Sequence, residues 1–242
     1  MPTSPAFYRG VYTALVTPFR DDRVDEIAFT RLLEEQIAAG VDGVIPVGTT
    51  GESPTLSMEE HLRVIELTVQ VVKRRTKVYA GTGSNSTSEA IYLTQQAEKL
   101  GVDGFLVVSP YYNKPSQAGV FAHYAALAQA TALPIITYSV PGRTGSEISV
   151  ETMVKLAQEY PNIVAIKEAG GSIERFSQLR QALPDSVAIL SGDDALTLPA
   201  LAMQGWMTAD VRLPLVALQP LSFERLETTL LGFKPQGRHE QH

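Results

Sequence analysis

Short apolar, β-branched runs alternate along this chain with longer stretches whose apolar positions recur at helical spacing. Residues 11–17 (VYTALVT) predict a strand, and residues 25–39 predict a helix with Ile27, Leu32, Leu33 and Ile37 apolar. Further strands are predicted at 41–47, 77–82, 104–109, 134–138, 163–167 and 187–190, and further helices at 58–74, 87–100, 117–130, 150–160, 173–183 and 195–203. Ser57 with Glu60 three residues later has the spacing of a capping box at one helix start. The result is a series of seven βα units, each about the 30 residues of a βα crossover.

A helix between every pair of strands forces the strands to run parallel. Two architectures satisfy this, a doubly wound open sheet and a closed (β/α)8 barrel. Nucleotide fingerprints that would favour the open sheet are incomplete. Gly81-Thr82-Gly83-Ser84-Asn85-Ser86 lacks the last glycine of the dinucleotide motif, and Gly48-Thr49-Thr50-Gly51-Glu52 lacks the phosphate-loop lysine. Seven similar units in 242 residues favour the α/β class with a (β/α)8 TIM barrel, which typically takes about 250 residues. The expected division is a catalytic barrel over residues 1–204 and a divergent tail over 205–242, through truncation or a shifted reading frame. By count an eighth strand falls near 206–211, but Asp210 and Arg212 suit a buried strand poorly, and Pro214 and Pro220 interrupt any helix after it. Residues 223–231 read as a short helix before a polar end. Without a regular eighth strand, a seven-stranded barrel keeps two strand edges open.

Composition narrows the classes of function. Apolar residues make up 44% of the chain, which excludes disorder as its main state. Twenty Lys and Arg against 26 Asp and Glu give a net charge of −6, with no basic footprint for nucleic acid or an anionic membrane. The absence of cysteine removes disulfides, thiolate metal sites and cysteine nucleophiles. No apolar run reaches the roughly 18 residues of a membrane span, and the first ten residues do not read as a secretory signal, so the expected location is the cytoplasm.

In a parallel barrel the chemistry sits at the C-terminal ends of the strands. Those ends carry Gly48-Thr49-Thr50-Gly51-Glu52-Ser53, then Gly81-Thr82-Gly83-Ser84-Asn85, then Ser109-Pro110-Tyr111-Tyr112-Asn113. They continue with Tyr138 before Pro141-Gly142-Arg143-Thr144-Gly145, with Lys167-Glu168, and with Ser191-Gly192-Asp193-Asp194. Lys167 closes the apolar run 163–166. A lysine drawn out of water at a barrel mouth favours its neutral amine, which attacks a ketone or aldehyde to form a Schiff base. The competing reading is a surface lysine paired with Glu168. Thr49 and Thr50 suit either turn capping or a carboxylate cradle, the tyrosines suit either packing or proton transfer, and Arg143 suits either solvent or a bidentate grip on a carboxylate. Metal binding is a poor fit. Of the four histidines, His61 and His123 lie in predicted helices at unrelated positions, and His239 and His242 are terminal. Asp193-Asp194 better suits helix capping than an ion.

Taken together, Gly48-Thr49-Thr50-Gly51-Glu52-Ser53, Pro110-Tyr111-Tyr112-Asn113-Lys114-Pro115, Tyr138 with Pro141-Gly142-Arg143-Thr144-Gly145, and Ile166-Lys167-Glu168-Ala169 resemble the dihydrodipicolinate synthase (4-hydroxy-tetrahydrodipicolinate synthase) family of Schiff-base aldolases, over about residues 8–203. The resemblance implies a lyase that condenses pyruvate with L-aspartate-4-semialdehyde, the first committed step toward diaminopimelate and lysine. It implies no cofactor and no metal, and a homotetramer built from tight dimers. It gives Lys167 the Schiff base, Tyr138 the general acid and base, and Thr49 and Tyr112 the proton relay, with Tyr112 supplied by the neighbouring subunit. Thr50 then binds the pyruvate carboxylate and Arg143 receives the semialdehyde. A lysine-effector site is implied at Ser53, His61, Asn85, Glu89 and Tyr111, although Met58 replaces a histidine found there in some members. Ser139 stands where the family usually has asparagine. Sister enzymes such as N-acetylneuraminate lyase share the lysine, but lack the Arg-Thr-Gly loop. Two other readings stay open at this level, a different pyruvate-dependent aldolase or lyase and a catalytically impaired remnant with an altered tail.

Overall fold

The computed structural model describes residue 8 and residues 10–192. Seven parallel strands form one sheet in chain order: β1 (Tyr12–Ala14), β4 (Gly43–Ile45), β5 (Lys77–Gly81), β6 (Gly104–Val108), β7 (Ile135–Ser139), β8 (Ile163–Glu168) and β9 (Ala188–Ser191). Helices α1 (Glu26–Ala38), α2 (Met58–Val72), α3 (Thr87–Leu100), α4 (Gln117–Ala130), α6 (Val150–Glu159) and α7 (Ile173–Ala182) connect them. Sequential strand order with one helix per crossover is the curl of a (β/α)8 barrel. Among the described residues the sheet stays open between β9 and β1. The helix expected at 195–203, the eighth strand near 206–211, the helix at 223–231 and the whole tail 205–242 lie outside the described residues.

Two features escape a reading by periodicity. After β1 the chain forms a small antiparallel ribbon, β2 (Phe19–Arg20) with β3 (Arg23–Val24). Its two-residue turn places Asp21 and Asp22 at φ of 50° and 58°, where short polar side chains are tolerated. The loop after β7 contains one helical turn, α5 (Pro141–Thr144), opened by a proline at its first position.

Local chemistry explains the helix starts. Asp25 caps α1 by accepting from the Ala28 N–H at 3.0 Å. Ser57 and Glu60 form the expected capping box on α2, at 3.2 Å and 2.9 Å. Ser86, Ser116, Ser149 and Ser172 cap α3, α4, α6 and α7, each side chain accepting the N–H three residues on. In α1 the core face is Phe29, Leu32 and Leu33, whereas Ile27 points to solvent at 85% exposure.

Strand alternation splits the interior into two layers. One lies between sheet and helices, where Val44, Val78, Phe105, Val107, Ile135, Ile163 and Ile166 meet Phe29, Ile65, Leu127, Met153 and Leu179. The other fills the barrel with Ile45, Tyr79, Leu106, Ile136, Tyr138, Ala165 and Ala188. Large and small residues interleave at its base. A Cβ on Gly43 would strike the Tyr12 ring, and one on Gly104 would lie 2.5 Å from the Tyr79 ring and against the Pro134 carbonyl. The two rings pack edge to face at 5.6 Å.

Burial also fixes charge states. His123 on α4 is 4% exposed, and its Nδ1 lies 2.9 Å from Thr87 Oγ1 on α3. Desolvation holds its pKa down at about 4.

Overpacking a filled barrel base costs about 1–3 kcal/mol. Gly104→Ala is therefore expected to lower the melting temperature by several degrees, measured by circular dichroism. For His123 the folded pKa lies below the unfolded value near 6.5, so its neutral form stabilises the fold above that pH. This contribution is lost as pH falls from about 6.5 toward 4, a loss of order 3 kcal/mol. Melting curves across that window should fall less steeply for His123→Asn than for the unaltered protein.

Candidate active site

The C-terminal ends of the strands converge at one mouth, and Lys167 sits at its centre. β7 and β8 pair so that Tyr138 lies directly opposite Lys167, and Lys167 opposite Leu190 of β9. Tyr138 is 6% exposed and Lys167 9%. The lysine Nζ stands over the Tyr138 ring, 4.6 Å from its centroid, within reach of a cation–π contact. Glu168 comes next in sequence but faces the helices. Its Oε2 accepts from Arg175 Nε at 3.2 Å and its Oε1 from the Gly170 N–H at 2.8 Å. Arg175 also reaches the Ile148 carbonyl and lies 3.3 Å from Glu147. The carboxylate that a surface lysine would have used is thus engaged on the other side of the sheet.

Thr49 reaches the mouth through a strained turn. Val47, a β-branched residue, takes φ 50° after β4, a conformation that costs energy. It redirects the chain into a 3-10 turn over Thr49–Gly51. The carbonyl of Val47 then occupies the space that a Cβ on Gly81 would fill. From the other side Thr17 Oγ1 donates to the Gly51 carbonyl at 2.7 Å. The outcome is a small recess lined by Val47, Gly48, Thr49, Ser53, Gly81, Gly83, Leu106, Val108 and Tyr138. Thr49 and Tyr138 therefore share one recess, with Lys167 beside Tyr138. Thr50 is the next residue of the same turn and is half-buried.

Tyr112 and Arg143 occupy the rim. Tyr112 is 86% exposed and holds φ 71°. Its N–H donates to the Thr144 carbonyl at 3.3 Å, which ties its loop to α5, where Arg143 is exposed. Ser139 supports the same loop, because its Oγ accepts the Ile148 N–H at 3.4 Å. Within one chain, Tyr112 stands outside the recess that Thr49 and Tyr138 line.

The five effector candidates surround the loop after β5. His61 Nε2 lies 2.8 Å from the Gly81 carbonyl. Burial lowers the His61 pKa, against the opposing pull of that hydrogen bond and of the Glu89 charge. Glu89 accepts from Ser84 Oγ at 3.1 Å, and the Asn85 carbonyl accepts from Asn113 Nδ2 at 3.0 Å. Ser53 lines the recess, and Tyr111 is half-buried next to the exposed Tyr112.

Several contributors carry little signal in sequence. Val47 looks like an ordinary strand residue, and only the glycine at position 81 inside an apolar strand hints at close backbone approach. Arg175 lies on α7, seven residues beyond Glu168. Among the described residues no group of three or more His, Cys, Asp or Glu is placed to hold a metal ion, and no helix is long and apolar enough to cross a membrane.

Comparison with known proteins places this geometry. The model of the dihydrodipicolinate synthetase family matches residues 7–212, which carries it across the segment where an eighth strand falls by count. The 4-hydroxy-tetrahydrodipicolinate synthase of Endomicrobium trichonymphae is 52% identical over 198 residues, 82% of this chain and 68% of that protein. The solved structure of the 4-hydroxy-tetrahydrodipicolinate synthase of Methylacidiphilum fumariolicum SolV superposes with a TM-score of 0.88 at 45% identity, covering 92% of this chain and 95% of that one. The dihydrodipicolinate synthase of Acinetobacter baumannii, solved in complex with pyruvate, gives 0.84 at 36% identity, covering 93% and 98%. By sequence and by fold, the chain belongs to the dihydrodipicolinate synthetase family of lyases.

Proposed function

We propose that this protein condenses pyruvate with L-aspartate-4-semialdehyde through a Schiff base on Lys167, forming 4-hydroxy-tetrahydrodipicolinate at the first step of diaminopimelate and lysine biosynthesis. The observation that carries this reading is the buried pair at the mouth, Lys167 Nζ over Tyr138 with Thr49 in the adjoining recess.

The chemistry is that of the groups present. The Lys167 amine attacks the keto carbon of pyruvate and gives a carbinolamine. Loss of its oxygen as water needs a proton delivered to that oxygen and one removed from nitrogen. Tyr138 stands next to the amine and supplies this exchange, and Thr49 passes the proton on. The cationic imine draws electrons from the neighbouring methyl carbon, which loses a proton and becomes an enamine. The enamine carbon attacks the aldehyde carbon of the second substrate and forms the new carbon–carbon bond, while the aldehyde oxygen takes up a proton and becomes the hydroxyl. Attack on the imine by the amino group of that substrate closes the ring and frees Lys167.

The rim residues handle charge. Thr50, with the backbone of its turn, holds the pyruvate carboxylate, and Arg143 takes the carboxylate of the semialdehyde in a charge-assisted pair. Tyr112 projects away from its own recess and completes the relay of a neighbouring copy, so the active form is a self-associated one. The cluster around His61, Asn85 and Glu89 is the effector pocket on this reading.

Reduction with borohydride in the presence of pyruvate is expected to leave a pyruvyl adduct that peptide mass mapping places on Lys167, and Lys167→Ala should abolish it. Folded protein that yields no adduct would overturn the reading. Tyr138→Phe is expected to lower kcat by roughly 10²–10⁴-fold. Arg143→Ala should leave pyruvate trapping intact and raise the KM for the semialdehyde by roughly 10–100-fold, the worth of a hydrogen bond to a charged group. An unchanged KM there would remove Arg143 from the substrate.

A further inference from the structure

We infer that Gly192 is a positioning residue for Lys167, lacking a side chain so that the lysine stem can lie against it. This rests on the Lys167 imine reading and names a residue that sets the geometry of that amine.

Glycine is required for one of two reasons, a left-handed backbone or a close approach. The first does not apply here. The described glycines at positive φ are Gly10, Gly40, Gly101, Gly145 and Gly171, and Gly192 is not one of them. The second applies in a specific form. A Cβ on Gly192 would fall on Lys167 Cε and would lie 2.9 Å from Cγ and 3.1 Å from Cδ. All three nearest atoms belong to the lysine stem, and none is backbone. Gly81 and Gly83, also at the mouth, differ in this respect. A Cβ on Gly81 meets the Val47 carbonyl, and one on Gly83 meets the backbone of Val108. Those two positions are small for the sake of the fold.

Gly192 is also held in place. Its N–H donates to the Glu168 carbonyl at 3.0 Å, which extends the β8–β9 ladder one step past Ser191. The lysine stem therefore passes between a fixed backbone wall on one side and the Tyr138 ring on the other, where Nζ stands 4.6 Å from the centroid. These two surfaces confine the stem that carries the amine. A methyl group at position 192 meets the lysine stem before any other atom and pushes it aside. Displacement of a reacting group by about 1 Å costs on the order of 10²-fold in rate.

The test compares Gly192→Ala with the unaltered protein in two assays. In the first, the rate of borohydride trapping with pyruvate is monitored at Lys167. The expected result is a fall of roughly 100-fold, a matching fall in kcat, a semialdehyde KM within about threefold of the original, and an unchanged circular dichroism spectrum. Trapping at the original rate would overturn the inference. The second assay is a double-mutant cycle of melting temperatures that adds Lys167→Ala to both proteins. Alanine at 192 should lower the melting temperature when Lys167 is present and leave it unchanged when position 167 is alanine. Equal losses in both backgrounds would show that the methyl group strains something other than the lysine, and the inference fails. Absence of any pyruvyl adduct on the unaltered protein would instead overturn the imine reading, and the cycle still decides whether the glycine is there for the lysine.

Discussion

One extra residue in β8 decides which way its lysine points. β7 and β8 begin in register at Ile135 and Ile163, yet the next pair is Ile136 with Ala165. Val164 is the residue inserted between them, and both Val164 and Ala165 contribute to the barrel interior. Regular pairing from Ile163 onward would set Tyr138 opposite Ile166 and turn Lys167 outward among the helices. With the bulge, Tyr138 meets Lys167, Ile166 packs under the helices, and Glu168 emerges on the helix side to meet Arg175. Bulges re-aim side chains next to active sites for this reason, since a shift of one residue moves a whole strand to its other face.

Separation of charge results from that register. Two ionisable groups adjacent in sequence would neutralise one another on a flat surface. On opposite faces of a strand they serve different ends. Glu168 locks the end of β8 to α7 and, through Arg175, to the Ile148 carbonyl in the loop that carries α5. Lys167 remains inside, against an aromatic face and a glycine wall. The ion pair that fixes the scaffold and the buried amine at the mouth are thus built from one dipeptide.

Strain concentrates around the same mouth. Val47, Glu52 and Tyr112 all hold left-handed φ without being glycine, at 50°, 57° and 71°. Each lies on a loop that leaves the C-terminal end of a strand, where a barrel places its working groups. Gly81 yields space to the Val47 carbonyl, and Thr17 holds the Gly51 carbonyl, so neighbouring strands maintain the turn that offers Thr49. Tyr112 holds its strain at the rim, where its side chain is exposed.

The sequence by itself determined the βα repeat, the capping box at Ser57 and the set of strand ends, because each is written in local spacing. Ser57 and Glu60, or the apolar face of α1 at Leu32 and Leu33, need no distant partner to be recognised. The β2–β3 ribbon and the turn at Pro141 were not legible in this way, since two-residue strands and one-turn helices carry no period. The motif residues also pointed to Lys167, Tyr138, Thr49 and Arg143 through their resemblance to a family. Their spatial relation was beyond reach of the sequence. Residues 163–166 are all apolar, so no alternation says which face the next residue, the lysine, takes, and a bulge is invisible where both neighbours are hydrophobic. Only pairing with β7 and β9 decided that Lys167 enters the barrel, that Gly192 lies against it, and that Arg175 holds Glu168 on the other side. These are contacts between strands and helices distant along the chain, set by a register that tertiary packing alone selects.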